Sequence, residues 1–423
     1  MSIKSNWKKC KLINETISIG DGIHGTPTYD ANSDVFFING NNLLKGHICL
    51  KKDTKRVSSA QATIHQDILG EQTILISING TLGNVAYYCN EPVVLGKSAC
   101  YVNINSQNDK RFFYYLFSSP MFQQYLHYEA TGTTIKNVSL RSIRNFEFLL
   151  PTLEEQRRIA QILGALDDKI ELLQKQNKTL EDMAKAIFKS WFVDFDVVHA
   201  KQKGIPKADI MREYHLTDEL YDLFPSDFEN SSLGPIPSGW QVKPLSKIAT
   251  FLNGLALQKY PTRAEEDFLP VIKIAELRNG ISSSTDKANT DLPAEYIVLN
   301  GDILFSWSGS LMVKIWSGGK GALNQHLFKV FSNDYPKWFY YLWVNHYLPM
   351  FQEIAADKAT TMGHIQRKHL DQALVVGPTD LKPFTQYFDT LINKQILNNK
   401  QIQTLTELRD ALLPRLISGK IRV

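Results

Sequence analysis

Cysteines and long apolar runs are scarce in this chain of 423 residues, and each scarcity argues against a class of protein. The four cysteines are Cys10, Cys49, Cys89 and Cys100, and no two of them form a C-x-x-C pair. This spacing disfavours a zinc finger and a disulfide scaffold, and it favours reduced, mostly buried thiols. No run of about 18 apolar residues occurs, so a membrane-spanning helix is not predicted.

A leader sequence and a strong charge imbalance are also missing. The N-terminal stretch MSIKSNWKKCKL lacks the apolar centre of a signal peptide, which predicts a cytoplasmic protein. The net charge is only +4, which permits a nucleic-acid partner without requiring one. With 43% hydrophobic and 21% charged residues the composition is that of a globular protein, and the length predicts two or three domains.

Catalytic motifs are the third absence. The Asn- or Asp-Pro-Pro-aromatic run that an amino-methyltransferase needs does not occur, and neither does a Walker motif. The closest approach to a phosphate loop, SGGKGALNQH at 317–326, lacks the required spacing and predicts a loop or hairpin turn. No zinc-ligand spacing with cysteine or acidic residues is found around His24, His65, His326, His364 and His369. The sequence therefore predicts neither an enzyme of these classes nor a metal site.

What the chain does contain is a long internal repeat. Five segments recur in the same order, between 225 and 229 residues apart. The pairs are 74–82 with 303–311, 112–117 with 338–343, 131–138 with 358–365, 151–156 with 378–383, and 175–183 with 400–408. Such regularity predicts two diverged copies of one unit, each with a mixed head followed by a polar helical tail.

The heads are predicted to be α+β. TILISI and DILFSW have the pattern of strands and end in Asn-Gly and Ser-Gly turns. Residues 111–126 and 336–354 are each predicted to form one helix with an aromatic face. Such a face can stack on bases, but its helical spacing favours a place in the core.

Mainly apolar residues recur every three or four residues in the tails and form a seam, as in a coiled coil. In the first tail the seam positions are Ile159, Leu163, Leu166, Ile170, Leu173, Asn177, Leu180, Ala184, Ile187 and Trp191, with Asn177 as the one polar interruption. At 1.5 Å per residue this stretch would span about 48 Å. The second series is less regular: Phe384, Phe388, Leu391, Gln395, Asn398, Ile402, Leu405, Arg409, Leu412 and Leu416. Pro414 is expected to bend or end that helix.

Each apolar stripe needs to be covered, so the tails are predicted to pair antiparallel about a pseudo-two-fold axis. Asn177 would then face Asn398, and a hydrogen bond between them would set the register. The segment SSLGPIPSG at 231–239 predicts an irregular linker. The predicted order is head 1 (1–150), a helical spacer (151–198), a linker (199–238), head 2 (239–377) and a second helical spacer (378–423).

Residues 150–196, 231–240 and 391–421 resemble the specificity subunits of type I restriction-modification systems. The resemblance implies two target recognition domains, each binding one half of an asymmetric site in double-stranded DNA. It also implies that the spacers set the gap and dock two modification subunits, which methylate adenine N6 with S-adenosylmethionine. Restriction subunits, ATP-driven translocases and nucleases that need magnesium, would join them. This chain would then carry specificity without catalysis or a cofactor of its own, and would have no membrane partner.

The resemblance covers the whole chain, with one departure. The second tail has LKPFTQYFDTLINKQ at 381–395, where a stretch like LEEQRRI of the first tail is expected. The two docking faces are therefore expected to differ there. The same seam residues are the candidates for partner docking: Ile159, Leu163, Leu166, Ile170, Leu173, Asn177, Leu180, Ile187, Trp191, Asn398, Ile402, Leu405 and Leu412.

Candidate DNA contacts lie in two polar loops at equivalent places in the repeat. Head 1 offers Thr133, Thr134, Lys136, Asn137, Arg141 and Arg144, and head 2 offers Lys358, Thr360, Thr361, His364, Arg367 and Lys368. Cations and hydroxyls suit phosphates, and Asn and Arg suit base edges. A loop that only ties head to tail would recur equally. Weaker candidates are 78–81, 307–310, His24, Thr26, Lys51, Lys52 and Arg56.

One glycine-rich stretch, IGDGIHGTPTYD at 19–30, has the appearance of a phosphate cradle. In head 2 only Gly254 and Asn253 match it, opposite Gly22 and Asp21. The shared part therefore predicts a tight turn after the first strand. Its other residues belong to head 1 alone.

Two other functions are compatible with parts of this pattern. One is a fused restriction-methylation polypeptide, which the missing methyltransferase motif disfavours. The other is a scaffold or regulator with duplicated heads that does not read DNA, and a sequence-dependent gel shift would separate it from a specificity subunit.

Overall fold

The computed structural model describes residues 7–66, 68–262, 267–282, 284–357 and 363–423. The chain divides into two compact units. Unit 1 comprises Met1–Lys169 and Leu405–Val423, and unit 2 comprises Ile170–Thr404. Each unit holds one head together with parts of the two long helices, Leu153–Phe188 and Lys382–Ile417, which are 36 residues each.

Head 1 is built on a four-stranded antiparallel sheet. Its strands, in spatial order, are Thr16–Asp21, Ala99–Ile104, Thr73–Ser77 and Val85–Tyr87. Three strand pairs flank it: Lys8–Lys11 with Glu147–Leu150, Phe36–Ile38 with Val93–Leu95, and Leu43–Leu44 with His47–Ile48. The helices are Ser59–Gln66, Lys110–Ser118, Pro120–Glu129 and Leu140–Asn145, with 3₁₀ turns at Leu12–Glu15 and Gly40–Asn42.

Head 2 repeats this sheet with the same order and directions. Its strands are Thr250–Asn253, Leu327–Phe331, Ile303–Ser306 and Val313–Ile315. A second sheet contains Lys287–Ala288, Leu269–Ile272, Gly321–Leu323 and Ile297–Val298, and Gln241–Pro244 pairs with Leu374–Gly377. The helices are Leu245–Ile248, Ile274–Asn279, Lys337–Ala356 and Arg367–Gln372, with 3₁₀ turns at Leu257–Lys259 and Ala294–Tyr296. The predicted duplication of an α+β head is confirmed.

The aromatic helices lie in the cores of their heads, as their spacing predicts. Phe112, Phe113 and Phe117 have no exposed surface, and Trp338 has none in head 2. The prediction of one continuous helix at 111–126 is wrong, because two helices meet at Ser119. The Ser119 side chain accepts from the Phe122 amide, and a proline follows as the first residue of the new helix.

In unit 1 the two long helices run antiparallel against the core of head 1. Ile159 and Leu163 pack there with Leu413, Leu416 and Ile417. An ion pair at 2.8 Å joins Arg409 to Asp167, and another at 2.6 Å joins Arg422 to Glu155.

The end of the chain is tied to its beginning through Glu155. Besides the Arg422 ion pair, Glu155 accepts a hydrogen bond from the Trp7 indole at 3.1 Å, and the Arg422 guanidinium lies over that indole ring. Partial burial opposes ionisation of Glu155. The hydrogen bonds from Trp7, Thr152 and Arg422 outweigh it and hold the pKa of Glu155 below its ordinary value.

In unit 2 the long helices are again antiparallel, and their meeting includes the predicted asparagines. Asn398 Nδ2 donates to Asn177 Oδ1 at 2.9 Å, and Asn177 Nδ2 donates to Asn399 Oδ1 at 2.7 Å. Asn398 is 1% exposed. The contact between Asn177 and Asn398 is therefore present, and its role in setting register remains a prediction.

The seam is as predicted in the first helix, and in the second helix the predicted positions Phe384, Phe388, Gln395, Asn398 and Leu416 are buried as well. Ile159, Leu163, Ile170, Leu173 and Trp191 are buried. The half-buried seam positions are Leu166, Asn177, Leu180, Ile187, Leu391, Ile402, Leu405, Arg409 and Leu412. Buried residues of the second helix include Ile392 and Leu413, each one position after a predicted seam residue. That helix also continues past Pro414 and ends at Ile417.

Residues 199–238 are folded, contrary to the predicted linker. They contain the helices Lys207–Glu213 and Asp218–Asp222 and the hairpin of Phe228–Ser231 with Gly234–Pro237, after the π-helical turn Lys189–Val193 and the helix Asp196–Gln202. Ile210, Phe224 and Ile236 are buried in the core of unit 2. Two prolines fit this hairpin because it has only two strands, whose outer edges need no ladder donors.

The cysteines are free and differ in burial. Cys10 and Cys100 are buried, Cys49 is half-buried and Cys89 is exposed, so the expectation of mostly buried thiols holds for half of them. Burial raises the pKa of the Cys10 thiol to about 11. Among the described residues, no helix is long and apolar enough to cross a membrane.

Candidate nucleic-acid interface

Two candidate loops that are distant in the sequence of head 1 lie side by side. The loop after the strand Thr73–Ser77 meets the loop before the helix Leu140–Asn145. The Val138 amide donates to the Ile78 carbonyl at 2.8 Å, and the Gly80 amide donates to the Lys136 carbonyl at 3.0 Å.

Head 2 makes the same two hydrogen bonds at equivalent positions. The Ile365 amide donates to the Trp307 carbonyl at 3.0 Å, and the Gly309 amide donates to the Gly363 carbonyl at 2.9 Å. The two loops therefore form one surface feature in each head.

A turn between two strands joins these loops in both heads. In head 1 the Ile78 amide donates to Ser98 O at 3.0 Å, and in head 2 the Trp307 amide donates to His326 O at 3.4 Å. A hydrogen bond from the Ala99 amide to Gly96 O closes the turn in head 1, and one from the Leu327 amide to Asn324 O closes it in head 2. We call the assembly the common frame: 21–23, 78–80, 96–98 and 136–138 in head 1, and 253–255, 307–309, 324–326 and 363–365 in head 2.

The recurrent glycine of the glycine-rich stretch belongs to this frame. A Cβ on Gly22 would lie 2.0 Å from Leu95 O, and a Cβ on Gly254 would lie 2.2 Å from Asn324 O. Neither glycine is among those with positive φ. The predicted tight turn is thus replaced by a close approach of two backbones, which only glycine allows. Gly25, unique to head 1, does have a φ of +119°.

Side chains on the frame differ between the heads although the backbone is shared. Head 1 carries amides, with Asn79 Nδ2 donating to Asn137 Oδ1 at 3.1 Å. At the same two positions head 2 has Ser308 and His364. Head 2 therefore presents different hydrogen-bonding groups from the same backbone.

An indole holds the frame of head 2 together. Trp307 Nε1 donates to Asn253 Oδ1 at 2.9 Å and to Gln325 O at 3.2 Å. Its ring lies 5.9 Å from the His326 ring, and His326 Nδ1 is 3.0 Å from Ser308 Oγ. Amide and imidazole groups of this kind can bind base edges in DNA.

Residues 25–182 and 237–407 match the family described as the type I restriction modification DNA specificity domain, once in each repeat. The chain belongs to this family. Over 366 residues it is 27% identical to the type I restriction enzyme MjaIX specificity subunit of Methanocaldococcus jannaschii, covering 84% of this chain and 79% of the relative. It is 24% identical to the HindI specificity subunit of Haemophilus influenzae over 339 residues, which cover 69% of this chain and 73% of that subunit.

A solved structure supports the fold of this specificity-domain chain. The S subunit of a type I restriction-modification system from M. genitalium superposes with a TM-score of 0.52 at 15% identity. The match covers 99% of this chain and 97% of that one.

Several of the residues that were predicted to contact DNA are accessible to solvent in this specificity-domain chain. Exposed positions include Thr133, Thr134, Lys136, Arg141 and Lys368, while Asn137 and His364 are half-buried within the frame. Lys358, Thr360 and Thr361 lie outside the described residues.

Two arginine candidates have acceptors inside their own heads. Arg144 Nη2 donates to Ile19 O at 2.6 Å, and Arg367 Nη2 donates to Phe251 O at 3.2 Å. Ile19 and Phe251 stand at the same position, three residues before Gly22 and Gly254. Each arginine thus holds the first strand of the sheet, a role that sequence reasoning did not identify.

We predict that Arg144→Ala lowers the free energy of unfolding by about 1–3 kcal/mol. The substitution removes the charged hydrogen-bond donor of the Ile19 carbonyl, and Ile19 is buried. Thermal and urea denaturation of the full chain would measure the change. Arg141→Ala, an exposed position on the same helix, is the matched control and should leave stability within about 0.5 kcal/mol. Unchanged stability of Arg144→Ala with weakened DNA binding would contradict this role.

The basic cluster at 51–56 borders a polar cavity of about 270 Å³ in head 1. Lys51 and Lys55 line it with Tyr29 and Asn39, and Lys55 Nζ lies 4.4 Å from the centre of the Tyr29 ring. Ser98 Oγ donates to Asn39 Oδ1 at 2.8 Å, which connects the cavity to the common frame.

The remaining candidates of head 1 are at the edge of the frame or near it. His24 lies 2.8 Å from the Asp21 carboxylate, Thr26 and Lys52 are exposed, and the Arg56 guanidinium packs over the Phe36 ring. Sequence reasoning missed the turn at 96–98 and 324–326. The signal was available, since both turns follow an apolar run ending in leucine and lie 228 residues apart.

Proposed function

We propose that this chain is the DNA-recognition subunit of a type I restriction-modification complex, with each head reading one half of a bipartite, asymmetric site. One observation carries the proposal: the two heads build the same backbone frame and place different hydrogen-bonding side chains on it. Sequence is read by side chains at base edges, while phosphate contacts position the protein. Two heads with equal frames and unequal side chains therefore suit two unlike half-sites.

The proposed partners are double-stranded DNA, two modification subunits and restriction subunits. In this assignment the modification subunits bind S-adenosylmethionine and methylate adenine N6, and the restriction subunits use ATP and magnesium. This chain determines which DNA sequence they act on, and it contributes no reacting group.

Exposed apolar residues on the long helices support docking of two copies of one partner. Leu172 and Met183 are 48% and 45% exposed, and their equivalents 225 residues later, Leu397 and Leu408, are 57% and 46% exposed. Each pair is eleven residues apart, close to three helical turns, so its members lie on one face of their helix. We add these outward residues to the seam as docking candidates, because they are exposed whereas the seam positions are buried or half-buried.

Selection from randomised DNA tests the proposal. The full chain in complex with its modification subunits is expected to enrich two short, unlike sequences separated by a constant unread gap. Enrichment of no sequence would favour a scaffold without DNA readout.

A length change in the helices gives a second test of the same proposal. Insertion of seven residues into each long helix adds about 10 Å, which corresponds to about three base pairs. The selected gap should lengthen and both half-sites should stay the same. Altered half-sites with an unchanged gap would contradict the spacer role.

A further inference from the structure

Lys97 and Gln325 occupy the same position of the common frame. Each is the second residue of the turn that leads into the long strand of its sheet, Ala99–Ile104 or Leu327–Phe331. The turns are closed alike, by Ala99 N on Gly96 O and by Leu327 N on Asn324 O, both at 3.0 Å. The two side chains therefore start from equivalent backbone.

The backbone beneath both side chains is firmly held. In head 2 the Gln325 amide donates to Leu255 O at 2.9 Å, and its carbonyl accepts from the Trp307 indole. In head 1 the carbonyl of the neighbouring Ser98 accepts from the Ile78 amide at 3.0 Å. A side chain that reads a base needs such a fixed origin, because a loose one loses both affinity and discrimination.

The ends of the two side chains remain accessible. Lys97 is exposed, and no described residue is within hydrogen-bond or ion-pair distance of its ammonium group. Gln325 is half-buried, and its Nε2 lies 3.4 Å from His326 Nε2. The adjoining loops of the common frame carry the amides of Asn79 and Asn137 in head 1 and the imidazoles of His326 and His364 in head 2.

The hydrogen-bonding groups of Lys97 and Gln325 differ in a way that distinguishes guanine from adenine. A lysine ammonium only donates, and its partner in the major groove is guanine, which offers the acceptors O6 and N7. A glutamine amide donates and accepts, which matches N7 and N6 of adenine. We infer that Lys97 reads a guanine in the half-site of head 1 and that Gln325 reads an adenine in the half-site of head 2. This inference rests on the proposed function and adds the bases and the residues that read them.

Exchange of the two residues gives reciprocal expectations. Lys97→Gln, in the full complex with modification subunits, should change one guanine of one selected half-site to adenine. The preference for adenine over guanine at that position should rise about ten-fold. Gln325→Lys should change one adenine of the other half-site to guanine. The gap and all other positions should be retained. Selection from randomised DNA followed by sequencing measures all of these at once.

Controls separate base reading from charge and from folding. Lys11→Gln removes an exposed lysine outside the frame, and Asn333→Lys adds one to an exposed site of head 2. Both should leave the selected sequence unchanged. Lys97→Gln that lowers affinity equally for all sequences, or that keeps the original guanine, would overturn the inference. The proposed function fails separately, if the unsubstituted complex selects no sequence at all.

Discussion

Phe192→Ala is expected to lower the free energy of unfolding of unit 2 by about 3–5 kcal/mol. Phe192 has no exposed surface, and its ring lies within 6.1 Å of the rings of Trp240, Trp338, Phe384 and Phe388. Alanine would leave a cavity among large rings that belong to several elements and have little freedom to close it.

Tryptophan fluorescence during urea denaturation measures this effect in the full chain. Six of the seven tryptophans lie in unit 2, and Trp7 alone lies in unit 1, so the fluorescence reports mainly on unit 2. Leu397→Ala is the control, because Leu397 is 57% exposed. Its transition should shift by an amount corresponding to less than about 0.5 kcal/mol. Equal shifts for the two variants would contradict the packing described here.

Loss of one modification subunit is the expected result of the double substitution Leu172→Asp and Met183→Asp. Each change places a carboxylate on an apolar face, and burial of an unpaired charge under a partner is strongly unfavourable. The affinity for that copy should fall at least about ten-fold, as for truncation of interface hot spots. Native mass spectrometry should show one modification subunit per chain in place of two.

The equivalent substitutions on the other helix test the duplication itself. Leu397→Asp with Leu408→Asp should also release one copy, and the four substitutions together should release both. Gln174→Asp with Lys178→Asp adds negative charge to exposed positions on another face of the first long helix and should retain both copies. Retention of both copies by either apolar-face variant would rule out that face as a docking site.

Residue patterns that repeat every three or four residues correctly predicted which helix positions are buried. The repeat of three and four in the first tail identified the buried residues Ile159, Leu163 and Trp191, and its polar interruption identified the contact of Asn177 with Asn398. These predictions succeeded because helix geometry converts sequence spacing directly into a face.

Predictions failed where one local signal competed with another. The prolines at 235 and 237 suggested an irregular linker, yet a two-stranded hairpin accommodates them. The aromatic spacing at 111–126 suggested one helix, yet Ser119 caps a second one. In the second tail Ile392 and Leu413, each next to a predicted seam residue, are buried although the spacing did not select them, because the packing of each unit decides which neighbouring apolar residue faces inward.

By itself the sequence determined that the chain holds two copies of one α+β head with a helical tail, and that these resemble DNA specificity subunits. Only the tertiary structure decided which residues form the candidate interface. Asn79, Lys97 and Asn137 come from three loops that meet through the backbone hydrogen bonds of the frame. It also showed that Arg144 and Arg367 donate hydrogen bonds to carbonyls in the first strand of their heads. The physical reason is that local sequence specifies turns and periodicity, whereas the meeting of distant loops depends on how the strands between them pair.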